Sequence, residues 1–229
     1  MRMTVDHLLA LIGILIGLPG FMILFFNGQV VAGFLVVVMI AGIIWVRWLQ
    51  TQLDFTLLEV TKTLTFHDVT GHEATLIRRQ TARANHKGLI QFTIKGITSD
   101  GVIDNILIDG KPPHEQFTEA GRIGVRKHFS KPLDRGDIDD MELTYDITDG
   151  FNKATETSAH KVAYKTDKVK LIVIFHPNRP CFNPRASLRF GGNLYKNLTG
   201  LKVIGNNARI EIEIKKPKIG SDCYIEWDW

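Results

Sequence analysis

Residues 8–46 read LLALIGILIGLPGFMILFFNGQVVAGFLVVVMIAGIIWV and contain no charged side chain. The only polar interruption is Asn27-Gly28-Gln29, which separates the apolar segments Leu8–Phe26 and Val30–Val46. A helix needs about 20 apolar residues to cross roughly 30 Å of hydrocarbon, and each segment comes close to that length. The stretch therefore predicts an N-terminal transmembrane α-helical hairpin over residues 1–50.

The flanking charges predict the location and orientation of this hairpin. A cleaved signal peptide is disfavoured because the first apolar run is long, lacks a small-x-small cleavage site and is followed at once by a second run. Arg2 precedes the first segment and Arg47 follows the second, whereas the connecting turn has no cation. Because cytoplasmic ends are enriched in Lys and Arg, we expect a multi-pass protein of the bacterial inner membrane with both termini in the cytoplasm.

Small residues inside the hairpin suggest close helix packing, because helices in lipid associate where backbones approach each other. Proline and glycine in the first segment also predict a kink. The residues with an expected packing or gating role are Gly13, Gly17, Pro19, Gly20, Gly33 and Gly42. Two interpretations stay open: the glycines pack the two helices of one hairpin, or they pack subunits around an apolar pore that gates by dewetting.

From residue 51 to 229 the chain has the alternation typical of β-strands. Residues 141–147 and 210–214 alternate apolar with polar side chains, and residues 171–175 form a continuous apolar run typical of a central strand. Turn dipeptides such as Asp109-Gly110 separate these runs at intervals of roughly 8–12 residues. We therefore predict an all-β cytosolic sensing or regulatory domain, an antiparallel β-sandwich of about ten strands.

Motifs for catalysis, metals and cofactors are missing from the sequence. The eight histidines form no HExxH arrangement, the two cysteines have no zinc-type spacing, and neither a phosphate-binding loop nor a GxSxG elbow occurs. We therefore predict no enzymatic activity, no metal and no cofactor. A membrane-tethered hydrolase built from scattered His and Asp side chains is the weakest hypothesis.

Binding of an anion is favoured by clusters of basic residues, which fit the formal net charge of +4. Guanidinium groups grip phosphates through paired hydrogen bonds, and an aromatic ring beside them can stack a base. The candidate ligand-binding residues are Arg179, Phe182, Arg185 and Arg189 in one cluster and Arg78, Arg79 and Arg83 in another. A third cluster spans residues 122–131. A solvated basic surface is the competing interpretation for each.

Two uncharged segments followed by a strand-rich domain resemble the two-transmembrane, β-rich membrane effectors of bacterial anti-phage nucleotide-signalling systems. These include the β-barrel effectors of CBASS and the channel effector of the Hailong system. The resemblance covers domain order and rests on residues 8–26, 30–46 and 55–229. It implies a protein that oligomerises, responds to a nucleotide second messenger or oligonucleotide from a partner nucleotidyltransferase, and disrupts the membrane during infection.

The leading hypothesis is therefore an ion channel for antiviral defence. Its hairpins would form the pore, and its cytosolic domain would bind a nucleotide-type anion. One hairpin supplies only two helices, so a pore requires several subunits, and we favour a homotetramer. The alternative is a non-conducting, membrane-anchored β-sandwich that recruits a cytosolic partner.

Overall fold

The computed structural model describes residues 35, 36, 38–46 and 54–229. The chain divides into two units, Met1–Thr51 and Gln52–Trp229. In the first unit, residues 35, 36 and 38–46 are helical. In the second unit, every regular element of four residues or more is a β-strand, so the all-β prediction for that part of the chain is confirmed.

The predicted transmembrane hairpin is wrong. No helix in the described part of the chain is long and apolar enough to cross a membrane. The predicted multi-pass location in the inner membrane depended on this hairpin and is therefore also wrong. The prediction relied on hydropathy alone, and an uncharged apolar run does not by itself establish a membrane-spanning helix.

Most of the residues that were assigned to hairpin packing cannot be placed. The first predicted segment, Leu8–Phe26, lies outside the described residues together with Gly13, Gly17, Pro19, Gly20 and Gly33. Gly42 lies in the helix, and a Cβ added there would meet no heavy atom within 4 Å among the described residues. Among the described residues, Gly42 therefore makes no close helix contact.

Fifteen strands build the second unit, more than the ten predicted, because short edge strands with little apolar alternation escaped the sequence pattern. They are β1 (Phe55–Phe66), β2 (Glu73–Ala84), β3 (Leu89–Ile97), β4 (Val102–Ile108), β5 (Glu115–Glu119), β6 (Arg122–Leu133), β7 (Ile138–Thr148), β8 (Thr155–Lys161), β9 (Lys165–Thr166), β10 (Lys168–Ile174), β11 (Phe182–Phe190), β12 (Asn193–Asn197), β13 (Lys202–Ile204), β14 (Arg209–Lys215) and β15 (Ser221–Asp228).

The strands form three sheets. The large sheet has the order β13-β14-β10-β1-β2-β7-β4, with β9 also paired to β1. The four-stranded sheet has the order β12-β11-β15-β8, and the three-stranded sheet has the order β3-β6-β5. Strand β1 runs parallel to both β9 and β10, so the large sheet is mixed and the purely antiparallel prediction is wrong. Parallel neighbours need a long connection, which the chain between β1 and β10 provides.

Strand alternation places the core between the sheets. Val60 and Leu64 on β1, Leu143 on β7 and Ile225 on β15 are at most 1% exposed. The predicted central strand is β10, where three consecutive side chains from residue 171 to 173 are at most 8% exposed. Since successive side chains of a strand point to opposite faces, this run shows that both faces of β10 are covered.

Candidate functional site

The arginines of β2 do not form one site, because the strand sends neighbouring side chains to opposite faces. Arg79 lies on the outer face of the large sheet, where its Nε donates to Glu142 at 2.6 Å. Arg83 is exposed on that same face. Arg78 points to the core side, between the buried residues Leu76 and Gln80. The three arginines predicted together are thus separated.

Arg179 is also removed from the site that was predicted for it. Its guanidinium carbon lies 3.7 Å from the ring centroid of Trp229, and its Nη1 donates to the carbonyl oxygens of Val69, at 3.2 Å, and Thr70. The stacking on Trp229 and the two carbonyl acceptors therefore occupy one face and one nitrogen of the Arg179 guanidinium group. Arg179 therefore joins the β1–β2 loop to β15, a structural role.

Arg185 and Arg189 do meet, on the outer face of β11. Both line a pocket of about 340 Å³, which we call the arginine pocket. Its lining residues are Arg185, Ala186, Ser187, Arg189, Gly192, Asn193, Leu194, Asn197 and Glu226. Phe182 precedes the pocket, on the far side of a β-bulge, and its side chain is exposed. The structure thus brings together two of the four residues predicted in this cluster.

A tight hairpin between β11 and β12 closes one end of the arginine pocket. The connecting residues Gly191 and Gly192 have φ values of +59° and +83°. Two consecutive positive φ angles are the requirement of a type I′ turn, which glycine meets without steric cost. The turn folds β12 back along β11 and places Asn193 and Asn197 opposite Phe190 and Ser187.

One carboxylate lies between the two arginines of the pocket. Glu226, on β15, is the direct cross-strand partner of Arg185. Its Oε1 accepts from Arg189 Nη2 at 2.9 Å, and its Oε2 lies 3.9 Å from Arg185 Nε. Arg185 also reaches Asp228, with 3.6 Å between Nη1 and Oδ1. The lining itself therefore carries two guanidinium groups for one carboxylate, and several N–H donors remain for a ligand.

Ser187 provides the second polar feature of the pocket. It lies between Arg185 and Arg189 on the same strand face and is 4% exposed. Its Oγ is buried and has no hydrogen-bond partner among the described residues. Leaving a buried hydroxyl unpaired costs about 1–3 kcal/mol, so an unpaired one that lines a pocket points to a ligand or a bound water.

The polar lining consists of arginine, serine, asparagine and glutamate side chains. No histidine lines the pocket, and within residues 54–229 no side chain hydrogen-bonds to Ser187 Oγ. No group of metal-ligating side chains occurs in the searched, described residues.

A second pocket, of about 440 Å³, lies on the outer face of the large sheet. Three of the four carboxylates that line it pair with cations: Glu142 with Arg79, Glu59 with Lys168 and Asp109 with Lys127. In the basic cluster of residues 122–131, Arg126 pairs with Glu115 and Lys127 with both Asp109 and Asp139. Because the second pocket is lined by four carboxylates and one guanidinium group, and these two cations of the cluster are already paired, both regions offer less to an anion than the arginine pocket.

Sequence reasoning missed several residues of the arginine pocket. Ser187 could have been predicted, because residues two apart on a strand share a face and Ser187 lies midway between the two arginines. The sequence could not have indicated Asn193, Asn197 and Glu226, since only the pairing of β11 with β12 and β15 brings them to the site.

No protein-family model and no curated protein matches the chain. Among solved structures, it is similar to a Legionella pneumophila protein provisionally described as nutrient binding, with 10% identity, a TM-score of 0.49, and coverage of 76% of this chain and 67% of that one. It is also similar to an M1 zinc metallopeptidase from Deinococcus radiodurans, with 11% identity, a TM-score of 0.39 and coverage of 75% and 42%.

Yeast LTA4 hydrolase is a third similar structure, with 11% identity, a TM-score of 0.43, and coverage of 76% of this chain and 29% of the hydrolase. The chain thus spans less than half the length of both enzymes. Likeness at this level of identity and TM-score carries no argument about activity, because function resides in sites and not in folds.

Proposed function

We propose that the β-rich unit is a binding module that holds a nucleotide-type anion in the arginine pocket and performs no chemistry on it. The observation that carries this proposal is the unpartnered, buried Oγ of Ser187 between Arg185 and Arg189. A hydroxyl flanked by two guanidinium groups offers one more donor to a phosphate that both arginines bind.

The remaining lining fits the rest of a nucleotide. Asn193 and Asn197 present amide groups that can donate to and accept from sugar hydroxyls or base edges. Leu194 is 60% exposed and offers an apolar surface at the rim. Glu226 and Asp228 set the charge requirement: because these two carboxylates pair with Arg189 and Arg185, the pocket favours a ligand with few negative charges over a highly charged one.

Isothermal titration calorimetry with adenosine and guanosine monophosphate tests the proposal. We expect saturable binding of at least one of them by the wild-type chain and a loss of about tenfold or more in the Arg185→Gln/Arg189→Gln variant. Arg83→Gln is the matched control, since Arg83 is an exposed arginine outside the pocket. Absence of binding by the wild-type chain, or equal affinity in the double variant, would refute the proposal.

The wider role in anti-phage signalling stays a prediction, and an adjacent nucleotidyltransferase gene would support it. Assembly into a homotetramer also stays a prediction. The ion-channel hypothesis is withdrawn, because it depended on the transmembrane hairpin.

A second candidate function, self-association through a free strand edge, is favoured by β12. This edge strand of the four-stranded sheet is exposed throughout, with Leu194 60% and Tyr195 64% exposed. Unpaired backbone groups beside apolar side chains are a template for another strand, here that of a second copy. Light scattering should then show an oligomer that Tyr195→Lys dissociates; a monomeric wild-type chain would exclude this candidate.

A further inference from the structure

Five polar side chains lie close together on the core side of the large sheet, beside the end strands of the two smaller sheets. They are Lys62 on β1, Arg78 on β2, Tyr145 on β7, His160 on β8, and Tyr164 just before β9. We call this cluster the cationic seam. Both smaller sheets present a free edge to it, because β8 and β3 are the end strands of their sheets.

Two side chains of the seam hydrogen-bond to those free edges. Lys62 Nζ donates to the carbonyl oxygen of Ala159 on β8 at 2.6 Å. The hydroxyl of Tyr164 donates to the carbonyl oxygen of Thr93 on β3 at 3.3 Å. Each bond occupies a carbonyl oxygen of an end strand, and covering an end strand in this way protects it from pairing with another chain. These contacts tie both small sheets to the seam.

The positive charges of the seam face each other without a counter-ion. Lys62 and Arg78 are direct cross-strand partners in the antiparallel pair β1–β2. Directly opposed residues have Cβ atoms about 4.5–5.5 Å apart, and like charges in that position are destabilising. In residues 54–229 neither makes an ion pair within 4 Å, whereas the next arginine along β2, Arg79, pairs with Glu142.

Buried polar atoms of the seam are also unsatisfied. Nε of Arg78 and Nε2 of His160 are inaccessible to solvent and lack a hydrogen-bond partner among the residues that the structure describes. His160 is only 4% exposed. Each unpaired polar group costs about 1–3 kcal/mol of folding free energy, and the opposed charges add to this cost, so the seam lowers the stability of the folded chain.

The ionisation states reinforce the positive charge. Burial, and then the charge of Arg78, lower the pKa of Lys62 to about 8, and burial lowers the pKa of Arg78 to about 10. Both therefore remain mostly protonated at neutral pH. Burial holds the pKa of His160 well below its usual value and raises the pKa of Tyr164 to about 12, so these two groups are neutral.

We propose that the cationic seam binds a compact tetrahedral oxyanion of the phosphate or sulfate type. Lys62 has two N–H groups beyond the one that binds Ala159, and Arg78 offers the buried Nε–H. These donors approach from two strands, with His160 on a third, and a tetrahedral anion can accept hydrogen bonds from several directions at once. The anion neutralises the opposed charges and satisfies the unpaired nitrogen of Arg78. This site is separate from the arginine pocket.

The test uses the full chain with Arg185→Gln and Arg189→Gln, so that the arginine pocket does not contribute. Inorganic phosphate is titrated by calorimetry at constant ionic strength. We expect one saturable site, and a loss of affinity of about tenfold or more when Arg78→Met is added. Adding Arg79→Met instead should leave the affinity within about twofold, because this control removes a neighbouring cation on the opposite sheet face.

A second measurement does not depend on a seam variant that folds. The Cε resonance of Lys62, in a sample with ¹³C-labelled lysine, reports its pKa with and without phosphate. A bound anion favours the charged ammonium, so we expect phosphate to raise the pKa of Lys62 from about 8 by about one unit. An unchanged pKa, absent phosphate binding, or equal affinity in the Arg78→Met protein would overturn the proposal. Acetate binding as tight as phosphate would overturn the tetrahedral assignment.

Discussion

Lys62 and Arg78 lie directly opposite each other on β1 and β2, on the sheet face that packs against the core. Their strand neighbours on that face, Leu64 and Leu76, are buried and apolar. Two cations at adjacent core-side positions conflict with the pattern of the rest of the sheet. Lys62 has a structural contact with Ala159, but the charge of Arg78 opposite it lowers stability, so we expect the pair to serve binding. The pH dependence of stability makes this conflict measurable.

The first prediction concerns Lys62 in alkaline solution without phosphate. The pKa of Lys62 is about 8 in the folded chain and 10.5 in the unfolded chain, so between these two pH values the unfolded chain binds more protons. The free energy of unfolding should therefore rise from about pH 8 to pH 10. Urea unfolding at several pH values measures this rise, which Lys62→Met should abolish. An equal rise in the variant would contradict the assignment.

The second prediction concerns His160 in mild acid. Its pKa is held well below the ordinary histidine value of 6.5, first by burial and then by the charges of Arg78 and Lys62. Below pH 6.5 only the unfolded chain takes up this proton, so stability should fall by up to about 1.4 kcal/mol per pH unit. His160→Leu should remove this part of the acid sensitivity in thermal unfolding. His86→Gln, at an exposed position, should leave it unchanged.

The third prediction compares two buried serines. Ser187→Ala removes an unpaired hydroxyl, so the free chain should keep its stability or gain about 1 kcal/mol, while nucleotide affinity falls. Ser221 Oγ donates to the carbonyl oxygen of Lys218 at 2.6 Å, so Ser221→Ala should cost about 1 kcal/mol and leave affinity unchanged. Chemical unfolding and calorimetry measure the two effects. A large loss of stability in Ser187→Ala would show that its hydroxyl is satisfied.

The fourth prediction assigns Arg179 to stability. Arg179→Gln loses the stacking on Trp229 and weakens the contact with the β1–β2 loop, so it should lower the free energy of unfolding by about 1–2 kcal/mol. Nucleotide affinity should not change, because Arg179 does not line the arginine pocket. Arg83→Gln, the exposed control, should stay within about 0.5 kcal/mol of wild type. A binding defect in Arg179→Gln would restore its predicted role as a ligand residue.

Alternation of apolar and polar side chains was sufficient to locate most strands. Residues 141–147 were predicted from sequence and lie inside β7, and the predicted residues 210–214 lie inside β14. Periods of two residues arise from local backbone geometry, which every strand shares whatever its neighbours. Short strands such as β9 and β13 were missed, because few residues carry too little pattern.

The pairing of the strands could not be predicted from the sequence. Nothing local indicates that β1 lies beside β10 in parallel, or that Glu226 reaches two arginines of β11. Both depend on contacts between residues distant in the chain, and such contacts are decided by the packing of the whole core. The N-terminal prediction failed for a related reason, since hydropathy describes local composition and does not by itself establish a membrane-spanning helix.

The amino-acid order alone determined that residues 54–229 are rich in strands, the approximate position of the strands with clear apolar alternation, and that basic side chains gather near residue 185. Only the tertiary structure decided which of those cations act together. Strand geometry turned Arg78 inward and Arg79 outward, while sheet pairing brought Lys62 opposite Arg78 and Ser187 between Arg185 and Arg189. The physical reason is that side-chain direction follows local backbone geometry, whereas electrostatic partners are set by distances across strands and sheets.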